Sequence, residues 1–300
     1  MPAIEIKTAA SLREAIIRVI VFFDLFDYPL TAYEIKAKLN KKWALIEIID
    51  FLDQEGLEPA TKLSQKNGFY FLSGREGIVA VRQKRHNYGA RKIKIARRFA
   101  RLLSLWPYVK MIALANSLGQ NNLRVESDID FFIISAPRRI WLTRLYCTGL
   151  AKILNRRPNA ITKKDKICLS FYATSDRLCL DDLRLNGSDP YFDYWRQSLV
   201  LLYDKDKTYE RFLEANKLAS KLAVVGTAAA SGNNIFLDKL EIWAKKFQLA
   251  ILPAGLKSNM NNSDGVVIND SILKLYQRDR RREYAEKYEN KINEIFKEGN

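Results

Sequence analysis

Apolar positions fill residues 12–26 (LREAIIRVIVFFDLF) almost all round, which predicts a largely buried helix. Asp27-Tyr28-Pro29-Leu30 breaks that pattern, and Thr31 opens a second helix with Glu34 as its capping-box partner. Asn40, Lys41 and Lys42 separate it from a third, roughly 43–55, whose Leu45, Ile48, Ile49 and Leu52 share one face. Short strands follow around 60–64 and 69–72, with Asn67-Gly68 between them as a hairpin signal. A long helix over about 77–104 ends at Trp106-Pro107. Beyond it, Val109 to Ala115, residues 128–135 and Ile167 to Ala173 predict buried strands, and 138–154 predicts a basic amphipathic helix. From Asp189 onward the periodicity reads as helical at 190–203, 206–223, 235–251 and 270–297, with a loop at 254–265.

Charge changes the picture. The net charge is +16, yet residues 1–75 hold ten Lys/Arg against ten Asp/Glu, so the whole excess falls after them. The densest stretch, 82–101, carries nine basic residues and no acidic one, which makes it the candidate surface for RNA or another polyanion. Three helices followed by a hairpin is the order of a winged helix. Its third helix carries Glu47, Asp50, Asp53 and Glu55, and phosphate repulsion opposes its insertion into DNA. Packing within the chain or contact with a partner protein is the expectation for that module.

Composition excludes several classes. No apolar run approaches the roughly 20 residues of a membrane span. The N-terminal residues lack a signal-peptide layout. The single histidine, His86, leaves no His-based triad and excludes most zinc chemistry. Cys147, Cys168 and Cys179 lie among apolar residues without metal-ligand spacing, so the expected compartment is the reducing cytoplasm.

The candidate chemistry lies in 111–134 (MIALANSLGQNNLRVESDIDFFII). Positions i and i+2 of a strand share a face, so Asp128 and Asp130 project together while Ile129 and Phe131 point to the core. Two adjacent carboxylates repel unless a cation neutralises them, and oxygen donors favour Mg²⁺ or Mn²⁺. Asn116-Ser117, at a strand-to-helix turn, offers a hydroxyl and backbone N–H groups to phosphate.

That segment resembles the signature of the polymerase-beta-like nucleotidyltransferase superfamily: an apolar strand, Gly-Ser, a spacer near ten residues, then Asp-x-Asp among apolar residues. The stretch FFDLFDYPLTAYEI at 22–35 is similar to helical modules that precede uncharacterised microbial members. The resemblance implies that Asp128 and Asp130 are catalytic and bind Mg²⁺ or Mn²⁺, and that Asn116, Ser117 and Ser127 contact the NTP. Asn116 replaces the family's Gly, a tolerable exchange because Asn accepts positive φ. The family's third carboxylate is absent from KICLSFYAT, where Ser170 stands near its expected place.

The expected architecture is α+β. It comprises a winged-helix-like module (1–75), a basic linker helix (76–105), a nucleotidyltransferase-type α/β core (106–185) and a helical C-terminal region (186–300). Three functions stay open. The first is Mg²⁺-dependent transfer of a nucleotidyl group from an NTP to a hydroxyl, and the runner-up is a catalytically degenerate nucleotide- or nucleic-acid-binding protein. The third is a regulatory module that pairs with a separate partner protein.

Overall fold

The computed structural model describes residues 11–39, 43–55, 62–115, 125–159, 161–216, 234–262 and 264–297. The first elements are α1 (Leu12–Asp24), α2 (Ala32–Lys38), α3 (Leu45–Glu55), the strands β1 (Leu63–Lys66) and β2 (Phe69–Leu72), and α4 (Gly77–Leu103). Next come β3 (Val109–Leu114), β4 (Ile129–Ser135), α5 (Ile140–Ile153), β5 (Ile167–Thr174), α6 (Pro190–Gln197), β6 (Val200–Asp204) and α7 (Thr208–Ala215). The chain closes with α8 (Ile235–Ala250), α9 (Ala254–Ser258), β7 (Val266–Ile268), β8 (Ile272–Leu275) and α10 (Arg281–Lys297). The protein is a mixed α+β structure built around a mixed sheet. No helix among the described residues is long and apolar enough to cross a membrane.

Contacts divide the chain into two compact units, the first made of 1–87, 186–197 and 280–300, the second of 88–185 and 198–279. These units differ from the four consecutive segments expected from the sequence, because two late helices return to the first. In that unit Ser11 caps α1 through Glu14 N, and Thr31 with Glu34 forms the capping box of α2. Asn67 and Gly68 turn the β1–β2 hairpin with φ of 55° and 76°, a left-handed pair that suits these two residues. Tyr194 of α6 and Tyr288 and Ile292 of α10 join the α1 core, where the Phe22 and Tyr194 rings lie 4.4 Å apart. Arg281 pairs with the fully buried side chain of Asp189 at 2.8 Å.

The second unit is a six-stranded sheet in the order β6-β3-β4-β5-β8-β7. Among the described strands only β4 and β5 run parallel, and α5 makes the connection between them. Both central strands are nearly continuous apolar runs because helices cover one face and aromatics the other. Ala96, Phe99 and Leu103 of α4 pack with Ile140, Cys147 and Ala151 of α5 on one side; Phe132, Phe171 and Phe212 meet on the other.

The C-terminal region expected to be helical is corrected here: it supplies three of the six strands. The helix read over 190–203 ends at Gln197, and β6 follows as a half-exposed edge strand. The helix read from 270 starts at Arg281 instead, since 266–275 forms a short hairpin against β5. Strands of three to five residues carry too few alternations to declare a period of two.

Candidate metal centre

The start of β4 and the start of β5 build this site together. Ile129 is fully buried beneath the sheet, which turns Asp128 and Asp130 to the opposite side. Parallel pairing sets Ile129 against Ile167 and Asp130 against Cys168. The register then shifts, because Phe132 meets Phe171 and β5 carries one more residue than β4 over that interval. A carboxylate oxygen of Asp128, one of Asp130 and the Sγ of Cys168 all lie within 4.8 Å of one another, on half-buried side chains. Ser170 stands alongside with its Oγ 3.0 Å from that sulfur.

Electrostatics marks the same spot. Burial, then the charges of Asp130 and Asp128, push the Cys168 thiol well above its ordinary range, so without a cation it is the neutral thiol. On the flank, Lys92 of the basic helix α4 is turned inward and only 2 % exposed. Its ammonium donates to the carbonyl oxygen of Ser127 and to the Ser127 Oγ, the latter at 3.1 Å, and lies 3.9 Å from Asp165. Burial lowers the Lys92 pKa, with the charges of Asp165 and Asp128 acting against that shift. Arg91 closes on the same Asp165 at 2.9 Å.

Geometry and donor chemistry test whether a divalent ion fits. Ligand oxygens about 2.0–2.2 Å from one tetrahedral ion, and sulfur at about 2.3 Å, lie roughly 3.5 Å from each other. Donor atoms already within 4.8 Å of one another are near enough for the three side chains to close on one ion. Two carboxylates suit Mg²⁺ or Mn²⁺, whereas the sulfur is a poor donor for Mg²⁺.

The sequence-derived candidates fare unequally. Asp128 and Asp130 are brought together on one face. Asn116 and Ser117 lie outside the described residues. The Ser127 hydroxyl is engaged by Lys92. Ser170, the residue expected near the third-carboxylate position, lies beside the group through the Cys168 sulfur, and Cys168 is the register partner of Asp130. Cys168, read as a cysteine among apolar residues without ligand spacing, and Lys92, read as one of the nine charges of a candidate polyanion surface, both stand at this group, and the sequence reading placed neither there. The alternation of Cys168 and Ser170 between buried Ile167 and Leu169 was the available signal for the first. Lys92 had none, since its inward direction depends on what packs beneath α4. No family model matches this chain, and no curated protein matches it either.

Proposed function

We propose that the second unit is a nucleotidyltransferase-like domain that binds a nucleoside triphosphate through a divalent cation held by Asp128 and Asp130. One observation carries the reading: two carboxylates and a thiol converge at the strand starts, around a buried Ile129 that forces the acidic pair to one side. Such a pair is repulsive on its own and becomes favourable once a cation binds. When bound, the cation neutralises phosphate charge and orients the triphosphate. Asp128 and Asp130 fix its position. Lys92 holds the entry to β4 through Ser127, the residue before Asp128. The exposed Lys94, Arg97, Arg98 and Arg101 of α4 supply positive surface for RNA or another polyanion. The three helices and hairpin of the first unit fit a winged-helix module with Glu47, Asp50 and Asp53 exposed on its third helix, which favours a protein partner over DNA.

A second reading, a catalytically degenerate nucleotide-binding protein, is favoured by Cys168. The group holds two carboxylates and a thiol, and a thiol does not supply the third carboxylate that would assist deprotonation of an acceptor hydroxyl. Calorimetry with each of the four NTPs and Mg²⁺ or Mn²⁺, on wild type and on Asp128→Ala with Asp130→Ala, tests the binding claim. The double variant is expected to lose cation-dependent NTP affinity and keep its fold; unchanged affinity removes the proposal. Labelled NTPs, scored for self-labelling and RNA labelling, then separate transferase from degenerate binder.

A further inference from the structure

We infer that Cys168 is a third ligand of the cation held by Asp128 and Asp130, and that its sulfur selects a thiophilic divalent ion, of the Zn²⁺ or Co²⁺ kind, over Mg²⁺. The inference rests on the reading of the acidic pair as cation ligands and names the cation that pair takes.

Three observations converge. The Cys168 sulfur lies within 4.8 Å of both carboxylate donor atoms, so side-chain rotation suffices to bring all three onto one ion. The backbone fixes this meeting, since Asp130 and Cys168 are register partners in a parallel pair and Ile129 and Ile167 anchor both strands in the core. The Ser170 Oγ lies 3.0 Å from the sulfur, on the same side of β5.

Chemistry supplies the selectivity. Mg²⁺ demands near-octahedral oxygen ligation at about 2.0–2.1 Å and gains little from sulfur. Zn²⁺ and Co²⁺ bind thiolate strongly and accept mixed sulfur and carboxylate donors in tetrahedral geometry. As the sulfur–metal bond forms, the thiol proton leaves to solvent, and the ligated sulfur becomes acceptor-only. The Ser170 hydroxyl then donates to it, an outer hydrogen bond of the kind that orients metal ligands. The result is one tightly held ion with oxygen, oxygen and sulfur donors from the protein and its remaining position open to a phosphate oxygen or water.

The test uses the full chain, reduced and stripped with chelator, titrated separately with Co²⁺, Zn²⁺, Mn²⁺ and Mg²⁺. The expected result is a thiolate-to-cobalt charge-transfer band in the near ultraviolet for wild type. That band is absent from Cys168→Ser and Cys168→Ala, and Zn²⁺ affinity falls by at least about tenfold in both, as loss of a metal-site group does. Mg²⁺ affinity changes little. Cobalt binding without the band overturns the inference, and so does equal Zn²⁺ affinity in wild type and Cys168→Ser. If a variant at Cys168 fails to fold, retention of the band in Cys179→Ser, the other partly exposed cysteine, assigns it to Cys168, and its loss there overturns the inference. In any of these overturning cases, binding that still depends on Asp128 and Asp130 leaves the proposed function standing. Absence of any divalent binding to wild type removes both.

Discussion

Cys168 on β5 stands opposite Asp130 on β4 in parallel register, and that pairing determines which residue occupies the third corner of the acidic site. Ser170 is held beside it through the sulfur at 3.0 Å. A one-residue excess on β5 lies just beyond, where Phe132 pairs with Phe171. Position along a strand therefore outweighs residue type in assigning the corner.

A carboxylate introduced at this corner sharpens the assignment. Cys168→Asp is expected to bind a second divalent ion and shift preference toward Mg²⁺, with any nucleotidyl transfer rising about 10²–10⁴-fold through general-base help. Ser170→Asp, one position further along the same face, is expected to give a smaller gain. Three clustered carboxylates repel without metal, so the Cys168→Asp melting temperature drops in chelator and recovers with Mg²⁺. Stoichiometry by calorimetry and melts with and without Mg²⁺ check both variants. Equal behaviour of the two would contradict the register argument.

On α4, Lys94, Arg98 and Arg101 are exposed and spaced to share one side of the helix, whereas Lys92 is buried and engaged. Reversing the exposed three to Glu is expected to weaken single-stranded RNA binding. The slope of log affinity against log salt should flatten by about 0.7 per lost phosphate contact. Filter binding over a salt series measures it. An unchanged slope would confine these charges to a solvating role.

Arg281 begins α10 and holds Asp189, whose side chain is fully buried, at 2.8 Å. Arg281→Ala is expected to destabilise the first unit by up to about 3–5 kcal/mol, because a buried carboxylate loses a buried charge partner. Exposed Arg280, paired with Glu283 at 2.7 Å on the surface, serves as the control, and Arg280→Ala is expected to change little. Urea midpoints compare the two. Equal midpoints would mean that α10 does not secure this unit.

Lys38 gives a pH signature. Burial pushes its ammonium down from the usual lysine value to about 8, against the pull of the Glu34 charge. Between about 8 and 10.5 the unfolded chain binds the extra proton, so stability rises with pH through that window. Below it the lysine is charged in both states and the full burial penalty applies. Lys38→Met is expected to flatten this rise, read from urea midpoints at pH 7.5 to 10. An identical slope in the variant would locate the titration elsewhere.

Local chemistry alone determined much of this protein. Thr31 and Glu34 specified a helix start, Asn67-Gly68 specified a hairpin, and the alternation around Ile129 set Asp128 and Asp130 on one side. Each is a signal within a few residues of itself, where backbone geometry and side-chain hydrogen bonding act directly. Tertiary structure decided the rest. The short strands β6, β7 and β8 exist because the sheet offers them hydrogen-bonding edges, which their own few residues cannot announce. Lys92 points inward because Ser127 and Asp165 lie beneath α4, far away in sequence. Cys168 meets the acidic pair because parallel strands joined through α5 align Asp130 with a residue 38 positions later, and register between such strands is fixed by packing of both cores rather than by either strand alone.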